Sequence, residues 1–135
     1  MKLRRTACLW LPAAAALVAL AYLLTCLFIS VELGRQVAEA NEGRGESELR
    51  YGYTDEDIAG IAVRDGADMS DYTRKARRTP VLAVSWLTGG RAVFWYWSEL
   101  KLDGELRSGS WRVPVVLTYE MRGLRPVVTD VYEHP

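Results

Sequence analysis

The sequence predicts an α+β fold: one N-terminal transmembrane helix, then a small domain of one or two short helices and a four-stranded antiparallel β-meander. Three observations carry this. Ala7 to Val31 contains no charged residue. Residues 54–66 have the capping and apolar spacing of a short helix. From Val81 onward, β-forming runs alternate with glycine-containing turn signals.

The apolar run, ACLWLPAAAALVALAYLLTCLFISV, exceeds the roughly 20 residues a helix needs to cross a bilayer. It is also longer than the apolar stretch of about 7–15 residues in a secretory signal peptide. Residues 7–31 are therefore read as a retained single-pass anchor in contact with the lipid bilayer. Two weaker signals compete: Ala38-Glu39-Ala40 has the small-x-small form of a cleavage site, and Leu23-Leu24-Thr25-Cys26 faintly resembles a lipidation box. The first lies well past the apolar run, and in the second LFISV continues it where a polar tether should begin.

Charge sets the expected orientation. Lys2, Arg4 and Arg5 precede the span, and all 17 acidic residues lie at or beyond Glu32. The positive-inside rule puts residues 1–6 in the cytoplasm as a short tail and the rest of the chain outside the cell membrane. Arginine far outnumbers lysine, a bias that points to a GC-rich bacterial genome.

Residues 32–53 read as a juxtamembrane linker, with NEGRGES at 41–47 as its flexible part. The extracytoplasmic domain is then 54–135. Thr54 is a good N-cap, and Asp55, Glu56 and Asp57 suit the first turn of a helix. Ile58, Ile61 and Ala62 share one face, and Gly66 is a stop, which predicts a helix over 55–65. Ser70 or Asp71 is positioned to cap a second short helix through Arg77, ended by Thr79-Pro80. The basic cluster Arg74, Lys75, Arg77 and Arg78 has two readings, contact with anionic headgroups or an acidic partner, and a solvated loop, of which the solvated loop is favoured.

Four strands follow. VLAVSWL ends at the turn signal Thr88-Gly89-Gly90-Arg91, and AVFWYWSELKL ends at Asp103-Gly104. Ser108-Gly109 punctuates the chain before SWRVPVVLTYEM, and Arg122-Gly123 turns it into LRPVVTDVYE. Trp111, Val113, Val115, Leu117, Tyr119 and Met121 alternate with more polar neighbours, so they form the expected buried face. Pro114 lacks an N–H and marks an edge or a bulge.

The run Phe94-Trp95-Tyr96-Trp97 loads both faces of its strand with rings. Trp95 and Trp97 are expected to join the core face under the 55–65 helix, leaving Phe94 and Tyr96 as an interaction surface. Trp86, Trp95, Trp97, Trp111 and Tyr119 are the expected core or pocket aromatics.

The chemistry of the common catalytic sites is missing. The single histidine, His134, is one residue from the end, and the two cysteines, Cys8 and Cys26, lie in the apolar run. No zinc spacing, phosphate-cradling glycine loop or dinucleotide fingerprint occurs. Asp65, Asp68 and Asp71 lack the calcium-loop pattern. Zero formal net charge gives no reason to expect nucleic acid. No catalytic residue, metal or cofactor is expected. The expected function is a non-enzymatic protein-interaction module, partnered or self-associating, in an envelope complex. The alternative is a small-molecule-binding domain with an aromatic pocket between helix and sheet.

Overall fold

The computed structural model describes residues 2–86 and 88–134, with side chains from Cys8 onward. The side chains of Lys2, Arg4 and Arg5, on which the expected orientation rests, lie outside the described residues. The chain is α+β: helix α1 (Lys2–Asn41), helix α2 (Asp55–Asp65) and strands β1 (Tyr72–Arg78), β2 (Leu82–Trp86), β3 (Gly89–Leu102), β4 (Glu105–Arg122) and β5 (Arg125–Glu133). All strand pairs are antiparallel.

Helix α1 does two jobs. Its first part is long and apolar enough to cross a membrane, and its side chains from Cys8 to Thr25 are exposed. Its last part is the core helix of the domain. Ile29, Leu33, Val37 and Ala40 recur at near-helical spacing and are fully buried against the sheet. Protein begins to cover the helix at Ile29, before the expected end of the span. The segment expected to begin a linker at residue 32 is therefore helix and core as far as Asn41. The stretch after it is also tied down. Arg50 Nε donates to the Ala40 carbonyl at 2.9 Å, and the Tyr51 amide donates to Asn41 Oδ1 at 3.0 Å.

Helix α2 forms where the sequence predicts it. Thr54 and Asp57 exchange the reciprocal bonds of a capping box, and Gly66 closes the helix at φ 65°. It lies at the far end of the same sheet face, held by polar struts. Asp65 pairs with Arg107 at 2.7 Å and accepts from the Tyr72 hydroxyl at 2.8 Å. Arg74 pairs with Asp55 at 2.8 Å.

The second expected helix is instead a single 3-10 turn at Met69–Asp71 followed by strand β1. That makes five strands rather than four. Yet β1 and β2 both pair with β3, β1 with its second half and β2 with its first. They are two halves of one edge strand, interrupted at Thr79-Pro80, and the sheet is four strands wide. Thr79 bridges the gap: its amide donates to the Trp95 carbonyl, and its hydroxyl accepts from the Trp95 amide.

Strand β4 runs unbroken through Ser108-Gly109, so the punctuation expected there is not a strand boundary. A β-bulge interrupts its pairing with β3. Tyr96 opposes Val113 and Ser98 opposes Ser110, leaving two β4 residues across from Trp97. Arg112 takes φ 50° at this bulge. Pro114 sits just beyond. Its pair partner Trp95 directs its backbone groups to Thr79, so the missing Pro114 N–H faces the side where β5 ends at Glu133. No strand needs it there.

Candidate functional site: the outer face of the sheet

One face of the sheet is closed by α1 and α2; the other has no helix over it. Strand alternation decides which side chains land where. On β3, Ala92, Phe94, Tyr96, Ser98 and Leu100 are buried, and Val93, Trp95, Trp97 and Glu99 are half-buried between them. Phe94 is 1% exposed and Tyr96 5%. The expected assignment of the aromatic run is thus reversed. Phe94 and Tyr96 form the core, because α1 and the segment after it close that face. Tyr51 packs edge-on to Phe94 at 5.9 Å between ring centres and lies 5.6 Å from Tyr96.

The inner aromatics are also polar anchors. The Tyr96 hydroxyl donates to Glu133, and burial together with that carboxylate pushes its pKa above the ordinary tyrosine value. Tyr119 is buried as expected, and its hydroxyl donates to the Val84 carbonyl at 3.0 Å. Burial raises its pKa too. The expected tryptophan-lined pocket is not there; between α2 and the sheet lies instead an open recess of about 410 Å³ lined by Tyr53, Asp57, Ile61, Arg64, Tyr96 and Ser108.

The tryptophans lie outside. Trp95 and Trp97 are on the outer face. Trp111, expected to begin the buried face, is 63% exposed, because the bulge at Arg112 reverses the side-chain alternation. It comes beside Trp97. Lys75, Arg77, Trp97, Glu99 and Trp111 line an open cavity of about 250 Å³. The Arg77 guanidinium lies over the Trp97 ring at 5.1 Å from its centre. Further along the same face β2 presents Leu82, Val84 and Trp86, all exposed, and β5 presents Tyr132. The result is an aromatic surface with a charged rim at one end, where Lys75 and Arg77 stand beside Glu99, the residue opposite Lys75.

Strand β1 explains the rim. Its alternation splits the basic cluster in two. Arg74 and Arg78 turn toward the helices, where Arg74 meets Tyr53 and Asp55 and Arg78 meets Gly34. Lys75 and Arg77 turn outward. Their role is missed in the sequence because after Tyr72 and Thr73 the strand reads RKARR, with no β-former; only the pairing of β1 with β3 makes it a strand.

The acids near α2 have structural partners. Asp65 holds Arg107 and Tyr72 and Asp68 caps the 3-10 turn, while Asp71 takes part through its backbone, its main-chain carbonyl accepting from the Asp103 amide. Arg107 holds the Asp65 carboxyl below its ordinary range. Among the described residues, no group of three His, Cys, Asp or Glu side chains is placed to hold a metal ion. No protein-family model, curated protein or solved structure matches this chain.

Proposed function

We propose that the chain is a single-pass, membrane-anchored, non-enzymatic protein-interaction module of a bacterial envelope. In this reading residues 7–31 hold it in the cell membrane, the N-terminus is cytoplasmic and the sheet domain is extracytoplasmic. The docking surface is the outer face of the sheet. The observation that carries the proposal is the cluster of Trp97, Trp111 and Arg77 on a face with no helix over it. Exposed aromatic patches of this kind mark interaction sites, and Trp and Arg are the residues that most often dominate binding energy. The cavity between Trp97 and Trp111 suits an apolar side chain of a partner. Lys75 and Arg77 at its rim suit an acidic group beside it.

The test is site-specific photo-crosslinking of the full chain in native membranes. A photoreactive residue at Trp95 or Val93 should capture a defined protein, or a second copy of the chain. Trp111→Ala should abolish that product without loss of the folded domain. The same probe at Val113, on the inner face, should capture nothing. Equal products from the two faces, or none from the outer one, would overturn the reading. Orientation is checked by a reporter fused after Pro135, which should be active only outside the cytoplasm.

The cavity of about 250 Å³ favours one second reading, a small ligand held between Trp97 and Trp111. It predicts a saturable change in tryptophan fluorescence that Trp97→Phe and Trp111→Phe each reduce. A panel of small apolar anions is the direct probe.

A further inference from the structure

A second surface, distinct from the tryptophan cluster, lies where α1 leaves its apolar run. Helix α1 and the edge strand do not close fully on each other. Between them runs an open groove of about 400 Å³, with Leu27 and Val31 on the helix and Pro80 and Leu82 on the opposite wall. The two elements are fastened by two hydrogen bonds: the Ala83 amide donates to Ser30 Oγ at 2.9 Å, and the Arg78 guanidinium donates to the Gly34 carbonyl at 3.1 Å.

The groove is chemically polarised. Its Leu27 end is continuous with the exposed side chains of Leu23 and Leu24. Leu82 stands at the lip of the groove, where the edge strand turns to the outer face of the sheet. The opposite end carries Arg35 and Arg78. These guanidiniums differ in what neutralises them. Arg35 is paired with Glu32 at 2.5 Å and also with Glu39. Arg78 is half-buried and donates only to carbonyls, Gly34 at 3.1 Å and Thr79 at 3.2 Å. Among the described residues no carboxylate pairs with it. A partly desolvated cation with no anion is a site of unmet electrostatic complementarity.

The helix also sets the depth of this site. At 1.5 Å per residue, the twenty residues from Cys8 to Leu27 cover about 30 Å, the thickness of a hydrocarbon core. Gly34, on which Arg78 rests, is three residues past the proposed span of residues 7–31, about 5 Å beyond it and level with lipid headgroups. The apolar end of the groove thus meets acyl chains, and the cationic end meets phosphates.

We propose that the groove between α1 and the edge strand seats one phospholipid of the leaflet adjoining the domain, with an acyl chain along Leu27, Val31 and Leu82 and its phosphodiester on Arg78. This rests on the membrane-anchor reading of α1, and the test separates the two. The full chain, purified in detergent, is titrated in native mass spectrometry with phosphatidylglycerol, diacylglycerol or glycerol phosphate. Membranes holding the same variants are extracted in parallel with alkaline carbonate.

The expected result is one phosphatidylglycerol per chain. Arg78→Gln should weaken it roughly tenfold, the effect of losing one charge-assisted contact. Leu82→Asp should weaken it by a similar factor, roughly tenfold, through the apolar wall. Arg112→Gln, on the bulge, should leave it unchanged. If Arg78→Gln fails to fold, Leu82→Asp decides, since Leu82 is already exposed. Equal binding of diacylglycerol, saturation by glycerol phosphate alone, or unchanged adducts in Leu82→Asp would each overturn the lipid site. A chain that resists carbonate but lacks these adducts loses the site and keeps its anchor. A chain released by carbonate loses both.

Discussion

The guanidinium of Arg77 covers the indole of Trp97, 5.1 Å from its centre, and the two are directly opposed residues of β1 and β3. The pair joins an edge strand with almost no apolar side chains to the most aromatic strand of the sheet. It also turns a half-buried ring into part of a charged rim. A cation over an indole contributes about 0.5–1 kcal/mol at an exposed site. Its larger effect is to hold Trp97 in place as one wall of the cavity facing Trp111.

The two faces of β3 should respond oppositely to mutation. Phe94→Ala removes a fully buried ring between α1 and the sheet and should cost about 3–5 kcal/mol. Trp97→Ala removes a half-buried ring with no helix above it and should cost about 1–2 kcal/mol, while removing the outer-face crosslink. Thermal melts followed by near-ultraviolet circular dichroism give the ranking. A larger loss for Trp97→Ala would mean the outer face is structural.

Glycine substitutions test the contact between β2 and β4. A Cβ at Gly90 would stand 2.0 Å from the Val84 carbonyl oxygen and 2.7 Å from the Tyr119 hydroxyl. It would therefore break the bond between them. Gly90→Ala should destabilise by about 3 kcal/mol or more. Gly60, inside α2, has nothing within 4 Å of its added Cβ. Gly60→Ala should stabilise by about 0.5–1 kcal/mol. Melting temperatures of the two variants should move in opposite directions.

Acid should loosen α2. The Asp65 pKa is lowered, first by its bond to Arg107 and then by its bond to Tyr72. A carboxyl with a lowered folded-state pKa binds fewer protons than in the unfolded chain. Its stabilising effect is present above about pH 4 and is lost as pH falls through the folded value. Hydrogen exchange of α2 should rise across that acid range while the amides of β3 stay protected. Asp65→Asn should remove this pH dependence.

Base should act through the other end of the sheet. The Tyr96 pKa is raised, first by burial and then by its bond to Glu133. A group with a raised folded-state pKa contributes stability that is complete below its unfolded value, about pH 10 for tyrosine, and lost as pH rises through the folded value. In an absorbance titration Tyr96 should be among the last tyrosines to ionise. Tyr96→Phe should remove that late component. Because Glu133 is exposed and water can replace the donor, the lost hydrogen bond should cost only about 0.5–1 kcal/mol.

Much of this fold was legible from side-chain chemistry. The Thr54–Asp57 box and Gly66 bound α2 to the residue. The Asp103-Gly104 pair, with φ values of 50° and 83°, makes the tight hairpin its composition suggests. The alternation of Val113, Val115, Leu117 and Tyr119 identifies the buried face of β4. What could not be read is which half of the Phe94–Trp97 run faces inward. Both halves are aromatic, so the pattern has no sign of its own. The sign comes from Ile29, Leu33 and Val37, which lie some sixty residues away in a helix that reads as membrane span and linker. The place of Trp111 depends on a positive φ at Arg112, a non-glycine residue, and such a bulge leaves no compositional trace. Strand β1 was hidden by its charges, which are common on exposed edges.

Helix α1 passes from its apolar run into the domain core without a break, so in the proposed membrane-anchored state the domain would have no hinge at the membrane surface. Whatever angle such an anchor took in the bilayer, the sheet would take with it. Thicker or thinner bilayers change the tilt of a span. Here that change would swing the Trp97–Trp111 face through the same angle, and a helix turned about its long axis would rotate the face like a vane. A partner on that face would meet it at a bearing set by the lipid.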